Sequence, residues 1–245
     1  MRGCYPDGMT DTQTPSKTTE PKWASTAREH VRTGLRRYSK PLQDLKARDA
    51  NEGDTRLIVT DILCDLLGYD KFSEVSTEYM VRGEFADYAL RLDGQVIAMI
   101  EVKRIATALS SKHLRQVEMY GVNEGVEWLI LTNGSVWQVY RLIPGMPVSV
   151  DLVLEVDLLA GEETSLKKAD KLLHLHKSFM QHGTLEELWE AAAATAPSKL
   201  AGVLLSESVL AETARELRRQ TGHRMDPSDL GRVIRECVIR PELTK

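Results

Sequence analysis

The run Val96-Ile97-Ala98-Met99-Ile100, closed by Glu101-Val102-Lys103, limits what this chain can fold into more than any other stretch. Consecutive apolar residues, several of them β-branched, predict a central strand buried on both faces of a sheet. Charges at the end of such a strand are costly unless they sit at an edge or meet partners. Glu101 and Lys103 stand at i and i+2, so their side chains point to the same face. The fold must supply both a buried strand and a reason for two charges on it.

The flanking pattern says what surrounds that strand. Asp93-Gly94 between runs at 85–92 and 95–103 is a hairpin signal, and Asn133-Gly134 between runs at 128–132 and 136–142 is a second. Further strands are predicted at 75–81 and 150–156, and a helix at 109–123. Ahead of the strands, Val31, Leu35, Tyr38, Leu42 and Leu45 recur at helical spacing over 27–48, with Pro41 set to kink or split that helix. A second helix over 54–67 buries Leu57, Ile58, Ile62, Leu63, Leu66 and Leu67 and stops at Gly68. Behind the strands, helices are predicted over 163–181, 185–194, 199–221 and 227–239, the last opening at Asp226-Pro227. This order predicts an α/β fold, a mixed sheet with helices packed on it and a helical C-terminal extension. Residues 1–25 hold Pro6, Pro15 and Pro21 without apolar periodicity and read as a disordered arm. The main domain is then expected over 26–160 and the extension over 161–245.

Composition enters by what it excludes. Cys4, Cys64 and Cys237 form no CxxC pair, which argues against a disulfide framework and a cysteine zinc site. No apolar run reaches the roughly 20 residues of a membrane helix, and the N-terminus lacks a secretory apolar core. The expectation is a cytoplasmic protein without a membrane partner. A formal net charge of −4 offers no wholesale attraction to nucleic acid. Locally the sign reverses: over residues 22–48, eight basic side chains face Glu29 and Asp44 alone, an excess of +6. That stretch reads equally as a solvated helix face and as a phosphate-contact surface. His174 and His176, two apart on the predicted helix, cannot share a metal and read as one half-buried and one exposed residue. In the extension, Leu200, Val203, Leu204, Leu210 and Leu217 make an apolar stripe, and Arg215, Arg218, Arg219 and Arg224 follow. A helix packed on the domain is the plain reading; a docking surface for a second copy or a protein partner, and a DNA-reading element, are the others.

Asp87 lies on the strand before the Glu101 strand. Two carboxylates and a lysine on one sheet face are what metal-assisted phosphodiester hydrolysis needs: oxygen ligands for Mg²⁺ and a cation beside the attacking water. The register makes a demand, however. A two-residue Asp93-Gly94 loop pairs Leu92 with Gln95 and, counted back, Asp87 with Ile100, which puts Glu101 on the opposite face. A three-residue loop, or a bulge, is required to bring Asp87 opposite Glu101. The Asp…Glu-x-Lys pattern is common, and Glu-x-Lys recurs at Glu20/Lys22. On the pattern alone, a charge pair bridging neighbours at a strand end is the plain reading.

Several stretches in order resemble a known family: Glu52 with Thr55-Arg56 ahead of Leu66-Leu67-Gly68-Tyr69, then Glu78, Phe85-Ala86-Asp87-Tyr88-Ala89-Leu90, Ile100-Glu101-Val102-Lys103, Gln116-x3-Tyr120, and Leu131-Thr132-Asn133-Gly134 followed by Trp137. Together they resemble the PD-(D/E)xK nuclease superfamily, and more closely the N-terminal nuclease domain of type I restriction enzyme motor subunits. Ala86 stands where the nominal motif has proline. The resemblance implies a restriction-endonuclease-like mixed sheet and a Mg²⁺-dependent endodeoxyribonuclease, with Mn²⁺ as substitute, serving restriction, phage defence or DNA processing. It implies Asp87 and Glu101 as metal ligands with the Val102 carbonyl, Lys103 acting on the water, and Gln116 and Tyr120 positioning phosphate or Lys103. Glu52 is either a further acidic neighbour reaching metal through water or a solvated helix-start residue; Glu78 is expected in a cross-strand salt bridge. No GxxxxGK[ST] loop occurs, so neither a nucleotide cofactor nor ATP-driven translocation is expected. The alternative is a non-catalytic DNA-binding or partner-docking module that retains the fold.

Overall fold

The computed structural model describes residues 20–243. Six strands form one sheet in the order β1-β2-β3-β4-β5-β6: Val75–Val81, Glu84–Leu92, Gln95–Val102, Trp128–Thr132, Val136–Ile143 and Ser149–Asp157. Neighbours are antiparallel except β3 and β4, which run parallel and are joined by the crossover helix α3, Ser111–Glu124. β3 is flanked on both sides, and residues 98–102 are all buried, as its apolar run predicts.

Two apolar cores lie on opposite faces of the sheet. On one face, Tyr88, Leu90, Ile100, Ile130 and Trp137 pack against α1 (Lys22–Ala47) and α2 (Glu52–Asp61, carried on by a π turn at Ile62–Leu66). Helices α4 (Ser165–Leu173) and α5 (Lys177–Gln181) close the same core through Leu172, Leu173 and Phe179, and Leu185 of α6 (Thr184–Ala194) joins it. The core thus runs past the boundary expected at residue 160. On the other face, Ala89, Met99, Leu129 and Leu142 pack with Val117 and Tyr120 of α3. After α7 (Pro197–Leu204), α8 (Glu207–Thr221) and α9 (Pro227–Val233) share a small separate cluster of Leu210, Ala214 and Leu230 with Ile234. Asp226 caps α9 as expected, accepting from Ser228 N at 2.9 Å.

Several local expectations are corrected. Pro41 does not split α1, which runs unbroken through it. Pro41 lies on the exposed face, where water meets the carbonyl that loses its amide donor. Residues 22–25 of the expected arm are the first turn of α1, and residues 1–19 lie outside the described part. The helix expected over 163–181 breaks at 174–176, and that over 199–221 breaks at 205–206, so the apolar stripe of the extension is divided between α7 and α8. The break changes the histidines: His176 caps α5, its Nδ1 accepting from Ser178 N at 3.1 Å, and is 8% exposed, while His174 is half-buried. Neither is the exposed residue that a continuous helix would have given. Burial, with His30 close by, pushes the His176 imidazole down to about 4.

The decisive detail is in the β2–β3 hairpin. Asp93 and Gly94 have φ of 50° and 80°, the left-handed pair of a two-residue hairpin turn. Leu92 pairs with Gln95 and Arg91 with Val96; then the register shifts, and Leu90 pairs with Ala98, Ala89 with Met99 and Tyr88 with Ile100. Ile97 is the extra residue, a β-bulge on β3. The loop is thus the short one, and the bulge makes the change of register on which a shared face for Asp87 and Glu101 depends.

Candidate active site

Side chains alternate along β2 and β3. Tyr88, Ile100 and Val102 enter the α1/α2 core, so Asp87, Glu101 and Lys103 lie on the face that carries α3. The paired register of β2 and β3 ends at Tyr88 and Ile100. Beyond it the Asp87 carboxylate continues the connection, Oδ2 accepting from Val102 N at 2.7 Å. Lys103 Nζ donates to Glu101 Oε1 at 2.5 Å and to Gln116 Oε1 at 3.3 Å. Gln116 Nε2 donates to Tyr120 Oη at 3.0 Å, and Tyr120 Oη donates to the Phe85 carbonyl at 3.0 Å. The i, i+4 spacing of Gln116 and Tyr120 puts both on one face of α3. A chain of hydrogen bonds therefore runs from Glu101 through Lys103, Gln116 and Tyr120 to the β2 backbone next to Asp87.

Helix α2 approaches from its N-terminus. Asn51 caps it, accepting from Asp54 N at 2.8 Å. Glu52, its first residue, lies close enough for its charge to act on Asp87, Glu101 and Lys103. Arg56 follows one turn later, its Nε 3.4 Å from Asp87 Oδ1 and its Nη2 3.4 Å from Glu78 Oε1. Glu78 is thus paired with helix α2, not across the strands as expected. Sequence reasoning gave Arg56 no role at the site, yet its i+4 spacing from Glu52 was a usable signal. His113 was also missed. It sits three residues before Gln116 and hydrogen-bonds the Ser110 hydroxyl through Nδ1 at 3.3 Å. Partial burial, with Lys103 and Lys112 close by, lowers its imidazole against the pull of Glu52.

Polar anchors hold the strand end in place. Thr55 Oγ1 accepts from Ile105 N at 3.1 Å and donates to the Asn51 carbonyl at 2.9 Å, tying α2 to the segment after Lys103. Asn133 donates to the Thr107 carbonyl at 2.9 Å and accepts from Val136 N at 2.7 Å. Gly134 stands at φ +83° with Thr55, Leu42 and Ile58 around the place of a Cβ, so only glycine fits there without strain.

Electrostatically the site is loaded with acid. Glu101 is 2% exposed, and burial, reinforced by Asp87 and Glu52 against the Lys103 hydrogen bond, pushes its carboxyl up to about 7. Burial also raises Asp87, with the Val102 amide and the Arg56 charge opposing. For Lys103, burial pulls downward, but the hydrogen bond and charge of Glu101 outweigh it and leave the amine raised. Glu101 Oε2 is buried without a hydrogen-bond partner among the described residues.

Those features bear on a hard cation. Glu101 Oε2, a buried carboxylate oxygen without a partner among the described residues, and the Asp87 carboxylate on the same face are oxygen donors. Mg²⁺ commonly takes one or two carboxylates and keeps several waters. Among the described residues no three His, Cys, Asp or Glu side chains are grouped to hold a metal by themselves. Two carboxylates suit a cation that keeps several of its waters. No protein-family model matches this chain, nor does any curated protein or solved structure.

Proposed function

We propose that this chain is a Mg²⁺-dependent endodeoxyribonuclease of the restriction-endonuclease-like type, similar to the N-terminal nuclease domain of type I restriction enzyme motor subunits, and that it acts on DNA in the cytoplasm in restriction, phage defence or DNA processing. The observation that carries this reading is the bulge at Ile97, which lets Asp87, Glu101 and Lys103 share the α3 face beside Gln116 and Tyr120. Asp87, Glu101 and the Val102 carbonyl would hold the cation, and Glu52 would be a further acidic neighbour. When bound, Mg²⁺ polarises the phosphoryl oxygen and lowers the pKa of a bound water. Lys103 places its ammonium against the attacking water and the charge that develops on the phosphoryl oxygens. Gln116 fixes Lys103, and Tyr120 fixes Gln116 to the β2 backbone. Burial raises the Glu101 carboxyl, and it must lose its proton before it can act as a ligand, so activity should fall on the acid side and be recovered there by more cation.

One observation favours the rival reading of a non-catalytic DNA-binding or partner-docking module: Lys103 and Arg56 already neutralise Glu101 and Asp87. Cleavage of supercoiled plasmid with Mg²⁺ separates the two. The nuclease reading expects wild type to nick or linearise, with Lys103→Ala and Glu101→Gln each about a hundredfold to a thousandfold slower. Lys103→Ala should keep DNA binding. Cutting by Lys103→Ala at the wild-type rate, or no cutting by wild type with Mg²⁺ or Mn²⁺, would move the assignment to the binding module.

A further inference from the structure

Away from this site, a cavity of about 310 Å³ opens between α1, α4 and the segment that follows β6. Leu35, Leu42 and Leu158 form its apolar lining; Arg36, Ser39, Ser165 and Lys168 form its polar lining. No carboxylate is among them, although the protein as a whole is acidic, with a formal net charge of −4. Lys168 is 7% exposed, and its Nζ donates only to the Leu158 and Ala160 carbonyls. A lysine taken out of water normally has a counter-ion, and among the described residues Lys168 has no ion pair. The acids of the neighbouring elements are engaged elsewhere: Asp170 holds Arg28 and Arg32, Glu163 holds Lys171, and Asp157 accepts the amides of Leu159 and Ala160. The side chains of Arg36, Ser39 and Ser165 make no hydrogen bond among the described residues. Guanidinium, amine and hydroxyl groups without an acid recognise phosphate oxygens, and the exposed edges of Leu35 and Leu158 offer an apolar ring a small floor.

We propose that this cavity binds a small phosphorylated ligand of nucleoside-monophosphate size. Its phosphate is held by Lys168, Arg36 and the serine hydroxyls, and its organic part meets the edges of Leu35 and Leu158. The volume stands at the lower end of small-molecule sites, roughly 300–1,000 Å³. It suits a mononucleotide and excludes a dinucleotide or a duplex. The cavity is separate from the candidate active site, whose acids face α3.

The test is calorimetric titration of the full chain with AMP and with inorganic phosphate, at constant ionic strength against chloride. Saturable AMP binding is expected, with phosphate weaker and Arg36→Ala at least tenfold weaker for both. Arg36 and Ser165 are exposed, so Arg36→Ala and Ser165→Ala should fold as wild type does, whereas Lys168→Met tests the buried amine and carries the risk of unfolding. A 12-base-pair duplex forms a third arm. Binding of phosphate but not of AMP beyond it would overturn the mononucleotide assignment. Duplex binding that depends on Arg36, without AMP binding, would overturn the small-ligand site and make the cavity part of a DNA path. No saturable binding, or AMP binding that Arg36→Ala leaves unchanged, would leave Lys168 as a staple between α4 and the 158–160 backbone.

Discussion

Glu101 is 2% exposed, and the folded protein holds its proton more tightly than the unfolded chain does, with the carboxyl raised from 4.5 to about 7. For an acid whose folded pKa is raised, stability is greatest below the unfolded value and falls as pH rises through the folded one. Wild type should therefore lose stability between about pH 4.5 and 7 through this one group. Glu101→Gln lacks that loss, so urea unfolding should show it gaining about 1–3 kcal/mol relative to wild type between pH 5 and pH 8. Parallel pH profiles for the two proteins would remove Glu101 from this account. The same proton competes with a divalent cation. Millimolar Mn²⁺ should raise the wild-type Tm at pH 8, raise it much less at pH 5.5, and leave Glu101→Gln unmoved. A Mn²⁺ shift of equal size in Glu101→Gln would place the cation elsewhere.

At the scale of elements, the candidate site depends on how closely α3 lies against β4. A Cβ on Gly121 would stand 2.5 Å from Leu129 Cδ2 and 2.8 Å from the Val126 carbonyl oxygen, and the latter is backbone that cannot turn aside. Gly121→Ala should cost about 1–3 kcal/mol. On the proposed nuclease reading it should also slow cleavage without touching the site, because a displaced α3 carries Gln116 and Tyr120 away from Lys103. Gly202 on α7 is the matched control: nothing lies within 4 Å of its Cβ position, so Gly202→Ala should be neutral or stabilising by about 0.4–1 kcal/mol. Chemical denaturation of both variants checks the pair; equal effects would mean that α3 is free to move. The sequence made the turns legible because their chemistry is local: Asp93-Gly94 and Asn133-Gly134 each demand a left-handed backbone. The i, i+4 pair Gln116/Tyr120 and the i, i+2 pair Glu101/Lys103 were legible for the same reason. The bulge was legible only as a requirement of the chemistry. Val96, Ile97 and Ala98 are all apolar, so a break in their alternation leaves no mark in the pattern. The helix breaks at 174–176 and 205–206 carry no glycine or proline; tertiary packing sets the first, where Lys177 N reaches back to the Leu67 carbonyl at 2.8 Å.

At the scale of the whole molecule, the question is how an acidic protein would hold a polyanion. The basic excess of α1 is partly neutralised internally, since Arg28 and Arg32 pair with Asp170 and Arg48 pairs with Asp54. Arg37, Lys40 and Lys46 remain exposed there, without an ion pair among the described residues. Lys112 and Arg115 are exposed on the first turns of α3, also without an ion pair among the described residues, and Gln116 follows them directly. Asp87, Glu101 and Lys103 face α3, so if DNA is cut there the phosphates beside the scissile one would meet Lys112 and Arg115, on that face, before α1, on the opposite face. Each phosphate that the protein ceases to neutralise should lower the magnitude of the salt slope by about 0.9. Lys112→Glu with Arg115→Glu should therefore weaken DNA binding and reduce the log K against log salt slope by about 2. Arg37→Glu with Lys40→Glu should do so less. Fluorescence anisotropy with a duplex across a salt series, in Ca²⁺ to suppress cleavage, measures both. If the α1 pair flattens the slope and the α3 pair leaves it unchanged, DNA lies along the basic helix and reaches the carboxylates from the α2 side.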